Sequence, residues 1–183
     1  MTAFDPSTPG VLAESPAAKV SLLAPGARFS LRARGDLAPL NAALGLTLPE
    51  TIGQVATAGP RQVLCLGPDE WVLITEGADA PAVTEACAGV YPSFAHSLVE
   101  TSSREVTLRL EGPQVRTLLT LGLPRDPDTI AEGSARRTVF DGVTVVLWHD
   151  AGGAYRMDVW ASFAPHVLHL LQTGVAELAA EQV

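Results

Sequence analysis

Leu64-Cys65-Leu66-Gly67-Pro68-Asp69-Glu70-Trp71-Val72-Leu73-Ile74 is a pair of apolar runs hinged on four turn-forming residues. With its flanks it reads as a strand over residues 61–66, a turn over 67–70 and a second strand over 71–75. Gly and Pro interrupt regular structure, and Asp readily bonds its own backbone, so the middle is turn chemistry between two strands.

Working outward, the neighbouring segments alternate between strand and helix patterns. Residues 27–34 place Phe29 and Leu31 on one face and Arg28, Arg32 and Arg34 on the other, a half-buried strand. Asp36 is placed to cap a helix carrying Leu37, Leu40 and Leu44, which Gly45 stops. Residues 47–58 are turn-rich without strong periodicity. Asp79 is expected to cap a second helix with Pro81 in its first turn. Strands follow over 94–100 and 105–110, then a helix opening at Gly112-Pro113 and closing at Gly122. Asp141-Gly142, between strands 137–140 and 143–148, is the strongest short hairpin signal in the chain. Residues 155–160 alternate as another strand. Ser162 is expected to cap a last helix whose apolar stripe is Phe163, Val167, Leu170, Leu171, Val175 and Leu178.

The two halves resemble each other. Leu31-x-x-x-Gly35 and Leu108-x-x-x-Gly112 open them, and Leu44-Gly45-Leu46 and Leu121-Gly122-Leu123 close their first helices. The reading is a duplicated strand–helix–strand–strand–helix unit. Two copies are too few for a solenoid. The chain is therefore expected to be α+β, with two related lobes of antiparallel sheet and packed helices. The expected divisions are an extended, proline-bearing arm over 1–26 (Pro6, Pro9, Pro16, Pro25), a first lobe over 27–92 and a second over 93–183.

Bulk properties narrow the function. The chain has 183 residues, 47% of them hydrophobic, which is ample for a core. Its net charge is −8, from 20 acidic and 12 basic residues, so phosphate backbones and anionic membrane surfaces are repelled. No nucleic acid and no membrane is expected as a partner. The N-terminus shows no signal-peptide pattern, no stretch is apolar enough to span a bilayer, and a cytoplasmic location is the default.

Candidate chemistry is sparse. There is no Gly-x-Gly-x-x-Gly and no Walker A pattern to hold a pyrophosphate. Cys65 and Cys87 read as two buried thiols. His166 and His169 share a helix face without further zinc ligands, His96 lies in a strand, and His149-Asp150 reads as a turn entry. Thr101-Ser102-Ser103-Arg104, Asp69-Glu70 and Asp126 with Asp128 read as turn formers and solvated turn charges. Arg136-Arg137 read first as an exposed, solvated pair, though they are of a type that could clamp a carboxylate or contact a partner subunit. Trp71, Trp148 and Trp160 each bound an apolar strand, which fits core or interface packing. No catalytic, cofactor-binding or metal-binding residue is identified.

The segment Leu-Gly-Pro-Asp-Glu-Trp at 66–71, flanked by apolar strands, resembles the hallmark of the gamma-subunit family of heterotetrameric sarcosine oxidase. Thr107–Pro113, Leu121–Asp126, Arg137-Thr138, the strand to Leu147-Trp148, and Val159–Ala164 follow in the family's order. The sequence departs from the family pattern at Leu123, Arg125 and Glu100-Thr101-Ser102.

The resemblance implies a fold similar to the folate-binding domains of aminomethyltransferases. It implies a non-catalytic small subunit that docks on an alpha subunit, beside beta and delta subunits. FAD, FMN, NAD, zinc and tetrahydrofolate would then all lie in those partner chains. Gly67, Pro68, Asp69, Glu70, Trp71, Arg137, Trp148 and Trp160 become signature or interface residues. Two alternatives stay open: a folate-binding, aminomethyltransferase-like module, and a gamma-like subunit of another N-methyl amino-acid dehydrogenase.

Overall fold

The computed structural model describes residues 5–181. Within these residues, eleven strands form two antiparallel sheets. The strands are β1 (Gly10–Glu14), β2 (Lys19–Leu22), β3 (Ala27–Ala33), β4 (Val55–Ala58), β5 (Arg61–Gly67), β6 (Glu70–Thr75), β7 (His96–Glu100), β8 (Glu105–Glu111), β9 (Ala135–Phe140), β10 (Val143–His149) and β11 (Tyr155–Trp160). Four α-helices accompany them: α1 (Ala38–Leu44), α2 (Ala80–Val90), α3 (Val115–Thr120) and α4 (Ala164–Ala180).

One sheet has the order β4-β5-β6-β3-β7 and belongs to a unit spanning Gly26–Ser102. Its core is built from alternate residues of β3, β5 and β6 (Phe29, Leu31, Val63, Cys65, Trp71 and Leu73) against Leu40 and Leu44 of α1 and Val83 and Cys87 of α2. The period of two along each strand and of 3.6 along each helix puts these side chains on facing surfaces. The turn expected over 67–70 is tighter than that: only Pro68 and Asp69 lie outside the strands, and a register shift falls between Cys65 and Gly67.

The other sheet has the order β1-β2-β8-β11-β10-β9 and belongs to a unit made of residues up to Pro25 and from Ser103 onward. Its core joins Leu108, Leu110, Leu147, Tyr155, Met157 and Val159 of the sheet to Leu118 and Leu119 of α3 and to α4. The β9–β10 turn is Asp141-Gly142, with φ of 45° and 78°. Both lie in the left-handed region that a two-residue hairpin of this twist requires.

The duplication is visible in the connectivity. The order β3-β6-β5-β4 in one sheet corresponds to β8-β11-β10-β9 in the other. Each repeat runs strand, helix, three strands, helix, so the sequence pattern lacked one strand in the first copy. That strand is β4, a short run of Val, Ala and Thr within 47–58. The strand leading into each repeat pairs with the opposite one. β2 precedes β3 but pairs with β8, and β7 precedes β8 but pairs with β3.

This exchange moves the expected divisions. The described part of the 1–26 arm is sheet rather than free extension, because β2 has apolar Val20 and Leu22 to bury over β8. The boundary falls after Ser102 instead of at 92/93, because β7 is laddered to β3. The chain crosses Gly112 closely at the β2 end. A Cβ on Gly112 would lie 2.8 Å from the Ala17 carbonyl oxygen and 2.8 Å from Ala18 Cα, at a φ of +120°.

Helix starts also differ in detail. Asp36 accepts a bond from the Ala38 amide at 3.0 Å, as a cap does. Asp79 and Ser162 make no side-chain cap bond to α2 or α4. The buried stripe of α4 is Ala164, Val167, Leu168, Leu171, Gly174, Val175 and Leu178. Phe163, just before the helix, is exposed instead.

Candidate functional site

In the Gly26–Ser102 unit, the Leu-Gly-Pro-Asp-Glu-Trp stretch is bound into its own fold. Asp69 sits at the tip of the β5–β6 hairpin, and its Oδ2 accepts from Arg34 Nε at 2.7 Å. Arg32 Nη1 reaches Asp69 Oδ1 at 3.3 Å, and Arg32 Nη2 reaches Glu70 Oε2 at 3.1 Å. The Arg34 hydrogen bond holds the Asp69 carboxyl below its ordinary pKa. The Trp71 ring is buried and its indole N–H donates to the Pro49 carbonyl at 2.7 Å. Gly67 ends β5, and its carbonyl accepts from Cys65 Sγ at 3.3 Å. These contacts fasten the hairpin tip to the end of β3 and to the 46–49 segment.

The same unit contains a join that carried no sequence signal. Arg61 on β5 forks onto Asp79 at 2.7 and 2.9 Å and donates to the Leu44 carbonyl at the end of α1 at 2.7 Å. Thr75 donates its hydroxyl to Asp79 at 2.8 Å. The guanidinium bonds lower the Asp79 pKa. Asp79 is therefore an anchor for Arg61, where the sequence had offered it as a cap.

In the other unit, Trp148 is buried and its indole N–H donates to Asp158 Oδ2 at 2.7 Å. Thr107 donates to Asp158 Oδ1 at 2.6 Å, so the buried carboxylate is held from both sides. The Arg156 guanidinium carbon lies 4.8 Å from the Trp148 ring centroid while its nitrogens pair with Asp150 at 2.6 and 2.8 Å. His149 turns the other way: its ring is buried, Nδ1 lies 2.7 Å from the Ile130 carbonyl, and it stacks on Tyr155 at 4.4 Å. His149 and Asp150 thus serve separate contacts and do not form an acid–base pair.

The remaining candidates separate likewise. Arg136 and Arg137 are successive residues of β9, facing opposite sides of the sheet, so they make no joint clamp. Ser102 receives the Arg28 amide at 3.0 Å and donates to Glu100 at 2.7 Å, both turn-forming contacts. Asp126 accepts from the Asp128 amide at 2.9 Å, and Asp128 pairs with Arg116 at 2.7 Å. His166 contacts Asp141 at 2.9 Å across the β9–β10 turn. Cys65 and Cys87 are buried free thiols, and burial raises both pKa values. Among the described residues, no three of His, Cys, Asp and Glu come close enough to hold a metal ion. No described helix is long and apolar enough to cross a membrane.

Trp160 differs from the other two tryptophans. It is the last residue of β11, 46% exposed, and Phe163 beside it is 47% exposed. Their ring centroids lie 6.3 Å apart, and the Arg104 guanidinium carbon sits 5.5 Å from the Trp160 ring centroid. Arg104 is also paired with Glu105 at 2.8 Å. Aromatic side chains with an adjoining Arg are the residue types that anchor protein–protein interfaces. The sequence marked Trp160 but not Phe163 or Arg104. Their meeting depends on the β8–β11 register, in which Glu105 faces Trp160.

Comparison with known proteins gives these features a context. The sarcosine oxidase, gamma subunit family model matches residues 34–177. The sarcosine oxidase subunit gamma of Corynebacterium sp. (strain U-96) is 32% identical over 149 residues, covering 80% of this chain and 72% of that one. Its counterpart from Arthrobacter sp is 31% identical over 150 residues, with 80% and 72% covered. A chain of the heterotetrameric sarcosine oxidase from Corynebacterium sp. U-96, solved in complex with pyrrole 2-carboxylate, superposes with a TM-score of 0.81 at 29% identity, covering 91% of this chain and 88% of that one. The glycine cleavage system aminomethyltransferase T from Bartonella henselae shares the fold, with a TM-score of 0.60 at 13% identity over 80% of this chain and 43% of that one. The chain belongs to the sarcosine oxidase gamma subunit family.

Proposed function

We propose that this chain is a structural subunit of a cytoplasmic heterotetrameric sarcosine oxidase, docking on the alpha subunit and contributing no reactive group. In this reading FAD, FMN, NAD, zinc and tetrahydrofolate are held by the alpha, beta and delta partners. The observation that carries it is the contrast between the polar signature residues and the aromatic patch. Asp69, Glu70, Trp71 and Trp148 spend their polar atoms on bonds within the chain, whereas Trp160 and Phe163 stand in solvent beside a guanidinium. An exposed aromatic pair of this kind is stabilised by desolvation against another chain.

Co-expression with the partner subunits and affinity recovery of the complex tests this. Replacing Trp160 and Phe163 together by Ala is expected to weaken recovery by about tenfold or more, a loss typical of interface anchors. Wild-type recovery by the double variant, or stoichiometric flavin or amine turnover by the isolated chain, overturns the reading.

A further inference from the structure

The two units share one plan and differ at one place. On the free side of β8 lies β2, and β1 pairs beyond β2 as the sixth strand. On the corresponding side of β3 lies β7, and among the described residues the order stops there. The position that β1 fills in one sheet is open in the other.

What fills the first position is visible. β1 runs beside α4, where Gln172 Nε2 donates to the Leu12 carbonyl at 3.0 Å and Leu12 and Ala13 pack on the core. The helix corresponding to α4 is α2. Between α2 and β7 lies a groove of about 500 Å³, lined by Thr84, Cys87, Ala88, Tyr91, His96 and Leu98. That volume is ample for one side chain of an incoming segment.

The edge of β7 is also prepared for pairing. Thr101 donates its amide to the Arg28 carbonyl at 2.7 Å, and Ser30 faces Val99 and Arg32 faces Ser97 in the same register. Antiparallel ladders alternate, so the amides of Ser97 and Val99 point at β3 and those of His96, Leu98 and Glu100 point outward. The other sheet ends are blunted: β9 carries Arg136 and Arg137, β1 has a register shift between Val11 and Ala13, and β4 has only four residues. β7 reads His-Ser-Leu-Val-Glu, with no proline, no basic side chain apart from its first imidazole and an unbroken register. Tyr91, which lines the groove, is 60% exposed, and Val99, on the opposite face of β7 from Leu98, is 53% exposed.

We propose that an extended segment of a partner subunit adds to the outer edge of β7 as a sixth strand and seats a side chain in the α2–β7 groove. This inference rests on the chain being an assembled subunit. β1 shows the kind of segment required: a short extended run of small and aliphatic residues such as Gly10-Val11-Leu12-Ala13. Backbone bonds to β7 would supply the pairing, and the groove the selectivity. His96 Nδ1 lies 2.8 Å from the Phe94 carbonyl, which only accepts, so Nδ1 is the donor there and Nε2 is left for a polar contact with the incoming residue. Glu85 and Glu100 nearby, with the net charge of −8, disfavour an acidic segment.

Site-resolved amide exchange on the purified complex tests this with a built-in reference. Ser97 and Val99 report the inner ladder, and Leu98 and Glu100 the outer edge. A bound strand brings the two sets within about tenfold of one another, whereas an open edge leaves the outer set at least about 100-fold faster. Two variants follow. Glu100→Pro removes an amide that β3 does not use, and Ala88→Trp fills the groove from the exposed face of α2. Each is expected to lower recovery with partner subunits by about tenfold or more while the variant chain keeps its native exchange pattern elsewhere. If a complex forms with fast outer amides and with both variants recovered as wild type, the sixth strand is refuted and the assembled-subunit reading stands. If no complex forms with wild type, both fall. If the outer amides are slow in an isolated chain that self-associates, the occupant is a second copy and the proposal is overturned.

Discussion

Replacing Arg61 by Met probes the fastening of the Gly26–Ser102 unit. The guanidinium makes three bonds, two to Asp79 and one to the Leu44 carbonyl, and so links β5 to the ends of α1 and α2. Desolvated charge-assisted bonds contribute ~1.5–3 kcal/mol each, and exposed ion pairs ~0–1 kcal/mol. With 17% and 19% of the two side chains exposed, the pair lies between these cases and water screens part of it. Arg61→Met is therefore expected to cost about 2 kcal/mol, with a coupling to Asp79→Asn of about 1–1.5 kcal/mol in a double-mutant cycle. Urea unfolding followed by tryptophan fluorescence measures both. The coupling has a pH signature. Arg61 lowers the Asp79 pKa in the folded state, so the stabilisation is complete above the unfolded carboxyl value and is lost as pH falls through the lower folded value. It should be constant from about pH 5 to 8 and shrink below about pH 4. A coupling under about 0.3 kcal/mol at pH 7, or one undiminished at pH 3 in a still-folded protein, refutes the reasoning.

Other outcomes follow from single contacts. Gly112→Ala forces a Cβ to 2.8 Å from the Ala17 carbonyl at a φ of +120°, and should destabilise by about 2 kcal/mol or more while deprotecting the β2 amides in exchange experiments. Trp71→Phe shrinks the buried ring and strips the donor from the Pro49 carbonyl, which together should cost about 2 kcal/mol or more in urea unfolding. Cys65 and Cys87, buried and with raised pKa values, should resist a thiol reagent at pH 8 in the native chain and react on unfolding.

Segments whose structure is dictated locally were legible in the residues. The 61–75 hairpin, the Asp141-Gly142 turn and the alternation of β11 follow from turn chemistry and a period of two. So did the duplication, because Leu and Gly recur at fixed spacing at the strand and helix ends. The N-terminal strands did not show. Proline punctuates that stretch, and β2 is strand only because β8, far along the chain, offers it a ladder and a core. Asp79 sits where a cap is wanted, yet Arg61 approaches across the sheet and takes its carboxylate. The three tryptophans looked equivalent in sequence. Trp71 and Trp148 have carbonyl and carboxylate partners inside their units, while Trp160 ends its strand beyond the covered part of the sheet. Exposure of that sort is a property of tertiary placement, which residue type alone does not fix.

The crossing of the two leader strands sets a timetable for synthesis on the ribosome. The Gly26–Ser102 unit has every one of its strands once Glu100 has emerged, and can close early. β2 has to wait for β8, roughly 80 residues later, or about 4–16 s at ~5–20 residues per second. Through that interval the nascent chain trails a sticky ribbon bearing Val20 and Leu22, open to chaperones or to a neighbouring polypeptide, until β8 arrives from the second half of the chain to claim it.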